Sequence, residues 1–84
     1  MSLSLRLDLP DSALAALRTT PDEFVREMRI AAAVKWYETG RLSQGRAAEL
    51  AGLSREAFHE ALSEYDVPAF QLTPDELRDE LRTL

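Results

Sequence analysis

Cysteine is absent from the 84 residues, which excludes disulfides and thiolate-bound metal and suits a reducing compartment. Histidine occurs once, at His59, so no cluster of imidazoles can hold a metal ion, and a histidine-based nucleophilic site would rest on that one ring. Only three glycines are present, Gly40, Gly45 and Gly52, too few and too scattered for a phosphate-cradling loop. Long apolar runs are also missing. The longest, Ile30 to Tyr37, is interrupted by Lys35 and is far too short to span a bilayer. The N-terminus lacks the basic-then-apolar pattern of a secretory leader, so a soluble cytoplasmic protein without membrane contact is expected. This inventory points away from an enzyme and implies no metal, no cofactor and no small-molecule substrate.

What remains is a globular mixture, 45% apolar and 30% charged, in a chain long enough for one compact domain. A chain of this size leaves much of its apolar surface uncovered, and association with a second copy is expected to supply the missing burial. The net charge is −5, unevenly spread. Residues 1–40 hold six acids against five bases, residues 41–63 three against three, and residues 64–84 six against two. Acidity is thus a property of the C-terminal quarter, and the part before it is near neutral and still able to meet nucleic acid.

The expected fold is mainly α, in three stretches of one domain. Residues 1–40 form a dimerisation segment, residues 41–66 a helix-turn-helix, and residues 67–84 an acidic tail helix. Leu3, Leu5, Leu7 and Leu9 alternate with Ser4, Arg6 and Asp8, the period of a half-buried strand. No second strand is evident, so the expected partner is the same strand of another copy; the alternative is an arm lying over its own helices. A short helix follows Pro10, with Ala13, Leu14 and Leu17 facing inward. Thr20-Pro21-Asp22-Glu23 then combines a capping hydroxyl, a first-turn proline and a glutamate placed to reach back to the cap. The helix it starts is expected to end near Thr39, with Gly40 as the stop. Its first half buries Phe24, Val25, Met28 and Ala32, whereas its second half is apolar on most sides. Phe24, Met28, Val34 and Trp36 are therefore expected, with Leu3, Leu5, Leu7 and Leu9, at the homodimer interface.

Ser43 to Tyr65 carries the most specific pattern. Ser43 caps one helix, Ala47 and Ala48 permit close crossing, and Gly52 suits a left-handed turn. Leu53 returns to the core, Ser54 caps a second helix, and Phe58, Ala61 and Leu62 recur at helical spacing. In such motifs the second helix enters the major groove of DNA. Arg55 and His59 lie on the expected outer face of that helix, and Arg41 and Arg46 are placed for phosphates near the first. Glu56 and Glu60 share the outer face and oppose phosphate, which keeps open an alternative in which the helix pair is purely architectural. The order of strand, short helix and capped helix also matches ribbon-helix-helix dimers, and there Arg6 would face guanine.

The chain resembles an uncharacterised family of small prokaryotic proteins described as predicted antitoxins with a helix-turn-helix domain. The resemblance rests on Glu38-Thr39-Gly40-Arg41-Leu42-Ser43, on Ala47 to Arg55, on Phe58 and Leu62, and on Tyr65-Asp66-Val67-Pro68 with an acidic helix after it. It implies a cognate toxin, a PIN-domain ribonuclease, together with regulation of transcription by binding operator DNA. Residues 67–84 have a rationale of their own as the toxin-binding segment. Leu77, Leu81 and Leu84 form one apolar stripe, flanked by Asp75, Glu76 and Glu80, suited to a groove on a basic protein. The same helix could instead pack on its own domain. The competing function is a protein-binding adaptor that does not touch DNA.

Overall fold

The computed structural model describes residues 2–69, and four helices lie among them: α1 (Asp11–Leu17), α2 (Pro21–Glu38), α3 (Gln44–Ala51) and α4 (Arg55–Glu64). α1 starts after Pro10 without a side-chain cap, whereas the other three starts follow the side-chain grammar of the chain. The Thr20, Ser43 and Ser54 hydroxyls accept from the backbone N–H of Glu23, Arg46 and Ala57 at 3.3, 3.2 and 3.1 Å, satisfying donors that the first turn leaves open. The reciprocal bond expected at Thr20 does not form. Glu23 Oε2 takes the Thr19 hydroxyl instead, at 3.2 Å.

Each helix stops in the same way. The residue after the last turn enters the left-handed region, and two N–H groups fold back on the carbonyls left open. Gly40 (φ 78°) and Gly52 (φ 72°) do this for α2 and α3 without steric cost. At α2, Gly40 N–H reaches Tyr37 and Arg41 N–H reaches Trp36; at α3, Gly52 reaches Glu49 and Leu53 reaches Ala48. Arg18 (φ 52°) and Asp66 (φ 56°) hold the corresponding places after α1 and α4, where a side chain makes the conformation more costly. Val67, which follows Asp66, donates to Leu62 at 2.8 Å and is buried, so this stop also delivers an apolar side chain to the core.

The core lies where α2, α3 and α4 meet. Ala33 and Val34 from α2, Ala47, Ala48 and Ala51 from α3, and Phe58, Ala61 and Leu62 from α4 are buried. Phe58 and Leu62 are the largest fully buried side chains, each stabilising the fold by about 1.5–3 kcal/mol relative to exposure. The three alanines of α3 let that short helix lie close against its neighbours, and the Tyr37 ring meets Phe58 edge to face at 6.0 Å. Ile30, Leu42, Leu50 and Leu53 pack around this centre.

Of three expectations about packing, the first is not met by the single chain and the other two need correction. Among the described residues there is no strand: residues 2–10 run without helix or ladder, and Leu3, Leu5, Leu7 and Leu9 are 82, 77, 59 and 47% exposed. A ladder needs a second backbone to bond, and one chain offers none. Val34, expected at a dimer interface, is 3% exposed in the chain's own core. An all-round apolar helix half does not say which face meets its own domain, and α3 and α4 take the Val34 side. Leu17 and Val25, expected inward, are 58 and 48% exposed. Of the tail helix expected over residues 67–84, residues 67–69 are described and are not helical, with Val67 buried in the core, and residues 70–84 lie outside the described residues.

Candidate nucleic-acid interface

The turn between α3 and α4 is short because each position does one job. Gly52 reverses the chain, Leu53 packs on the core, and Ser54 starts the next helix. Arg29 of α2 buttresses the turn. Its Nε donates to the Leu50 carbonyl at 2.8 Å, bringing a cation to the negative end of α3. The guanidinium also lies against Gly52, close enough that a Cβ built there would sit 3.2 Å from Nη2.

The arginines singled out in the sequence are all exposed, but they are held differently. Arg55 is the first residue of α4 and donates from Nη2 to Gln44 Oε1 at 3.1 Å. Arg46 on α3 pairs with Glu49 one turn on, at 3.1 Å, and Arg41 lies over the Trp36 ring, 5.4 Å from its centroid. The exposed contacts of Arg46 and Arg41 contribute little to stability and leave those two cations able to exchange partners. Arg6 lies on the arm, 3.5 Å from Asp8, away from the helix pair in sequence and free of any helix.

His59 is placed differently from expectation. It is half-buried rather than on an open helix face, with Nε2 2.8 Å from the Gln44 side-chain nitrogen. Gln44 and Arg29 are the two organising residues that sequence reasoning missed. Each acts on a partner eleven or more positions away, which helical periodicity cannot register.

Of the residues expected at a dimer interface, Phe24 and Met28 are half-buried beside Leu17, Ala31 and Tyr65 in an open depression on α2. Trp36 is 39% exposed and borders a second depression with Leu42, Leu50, Arg29 and Arg46. Leu77, Leu81, Leu84, Asp75, Glu76 and Glu80 lie outside the described residues. Among the described residues no group of three or more histidines, acids or cysteines is arranged to hold a metal ion, and no helix is long and apolar enough to cross a membrane.

The uncharacterised protein family UPF0175 matches the chain over residues 1–84. The chain belongs to the UPF0175 family. A UPF0175 protein of Aeropyrum pernix is 37% identical over 65 residues, covering 77% of this chain and 72% of the relative. A second UPF0175 protein, from Halobacterium salinarum, is 44% identical over 59 residues, covering 68% of this chain and 60% of its own length. No solved structure matches the chain. The family name carries no activity, so a function for this UPF0175 member has to be argued from its own residues.

Proposed function

We propose that the chain is an antitoxin-like regulatory protein, a homodimer that contacts operator DNA through α3 and α4 and neutralises a toxin through residues 67–84. The observation that carries the DNA half is the α3-Gly52-Ser54-α4 unit, a capped helix pair with an arginine at the first position of the second helix. That end of the second helix is the part such motifs present to base edges. Arg41 and Arg46 flank it as phosphate contacts, and Glu56 and Glu60 on α4 keep non-specific attraction weak.

Four exposed leucines at alternating positions support dimerisation through the arm, where a second copy would provide the missing ladder as in a ribbon-helix-helix dimer. The toxin half rests on the family resemblance and on the acidic, leucine-striped sequence of residues 67–84, and the partner we propose is a PIN-type ribonuclease. A second reading, a protein-binding adaptor without DNA contact, is favoured by one observation: Arg46 and Arg55 already have partners within the chain.

Titration of a labelled duplex taken from just upstream of the reading frame, at several salt concentrations, separates the two. The first reading expects salt-sensitive binding whose log-log slope falls by about 0.9 for each phosphate contact removed when Arg41 and Arg46 are replaced by alanine, and a weaker preference for the upstream sequence when Arg55 is. No salt-sensitive binding by the wild-type protein sinks the DNA half. For the toxin half, the chain is co-expressed with the product of the adjacent gene and cut after Ala69, which leaves buried Val67 in place. A complex that survives this truncation removes the tail from the mechanism.

A further inference from the structure

One side chain joins the two helices of the pair to the chain that follows them. Gln44, the first residue of α3, is half-buried, and its amide meets Arg55 and His59 of α4 and the carbonyl of Ala69. The chemistry of two of these partners orients the amide. A guanidinium only donates, so the atom receiving Arg55 Nη2 at 3.1 Å is the oxygen. A backbone carbonyl only accepts, so the atom 3.3 Å from Ala69 O is the nitrogen. The same nitrogen, with its second hydrogen, faces His59 Nε2 at 2.8 Å, which makes that ring nitrogen the acceptor and puts the imidazole proton on Nδ1. The Ala69 carbonyl also receives the Tyr37 hydroxyl at 2.5 Å, so the chain leaving α4 is tied to both α2 and α3.

We propose that Gln44 is the positioning residue of the α4 face: it sets the direction of the Arg55 guanidinium and the tautomer of His59, and ties both to the point where the C-terminal segment departs. The nucleic-acid part of this role rests on the reading of α3 and α4 as a DNA-binding pair. An arginine reads guanine only when its planar fork is presented at the right angle, and a tethered guanidinium loses less freedom on binding than a mobile one. The tautomer of His59 likewise decides which of its ring nitrogens donates.

Gln44→Met keeps the length and helix propensity of the side chain but removes every polar contact, and Gln44→Glu keeps an acceptor for Arg55 while losing the donor to His59 and Ala69. Two measurements are made on the full chain. Imidazole nitrogen shifts report the His59 tautomer, and duplex titration compares the chain's own upstream sequence with a scrambled duplex of the same composition. The expected wild-type pattern is a predominant Nδ1–H tautomer, whose share falls in both variants. Gln44→Met should narrow the preference for the upstream duplex by about tenfold while leaving scrambled-duplex affinity and its salt slope unchanged.

A wild-type His59 protonated on Nε2, or a Gln44→Met variant with the full sequence preference, overturns the positioning role and leaves the DNA reading intact. A wild-type protein that binds neither duplex defeats the DNA reading itself, and the role in recognition falls with it.

Discussion

Gly52→Ala adds one methyl group at the turn between α3 and α4, where φ is 72°. A residue with a Cβ pays about 1–2 kcal/mol for that conformation, offset by about 0.4–1 kcal/mol because alanine restricts the unfolded chain more than glycine. Backbone alone therefore costs about 1 kcal/mol. The methyl carbon would also stand 3.2, 3.3 and 3.4 Å from Nη2, Nη1 and Cζ of Arg29, tighter than relaxed contacts allow. That guanidinium cannot swing away at no cost, because its Nε holds the Leu50 carbonyl at 2.8 Å. Weakening this exposed charge-assisted bond adds about 1 kcal/mol, for a total near 2 kcal/mol. In a domain of this size that lowers Tm by roughly 8–16 °C. Helical circular dichroism followed through urea unfolding at fixed protein concentration measures it, with Arg29→Met and the double variant completing a cycle. In the Arg29→Met background the glycine replacement should cost only about 1 kcal/mol. Equal costs in both backgrounds would refute the role of Arg29 as a buttress, and a neutral Gly52→Ala would refute the left-handed turn.

Two further outcomes are expected. Asp66→Asn should raise stability by about 0.5–1 kcal/mol in the same assay, since asparagine accepts φ 56° more readily and the change removes a negative charge from the negative end of α4; a lower Tm would contradict this account of the stop. Leu5→Asp with Leu7→Asp should abolish the proposed dimer in sedimentation equilibrium while leaving helical content unchanged, because the arm contributes nothing to the described core. A dimer of undiminished affinity would remove the arm from the interface.

The parts of this fold that could be read in advance are those in which cause and effect are a few residues apart. Thr20, Ser43 and Ser54 start helices because a hydroxyl reaches an N–H three positions on, and Gly40 and Gly52 stop them through a local dihedral. Phe58, Ala61 and Leu62 announce a buried stripe by spacing alone. The same logic misassigned Val34 and Leu17, since periodicity identifies an apolar face without naming what covers it. It also misplaced His59, which belongs to the outer part of α4 by register yet meets Gln44 across the turn.

The four helices among the described residues, the turn glycine and the separation of a near-neutral body from an acidic end were therefore determined by the chain's own local chemistry, since caps, left-handed residues and charge counts act over a few residues. Only the packed structure decided that Val34 belongs inside, that the arm leucines stand uncovered, and that one amide joins Arg55, His59 and Ala69. Those outcomes depend on which helix faces meet, and on directional hydrogen bonds closed between residues up to 25 positions apart, which no local pattern encodes.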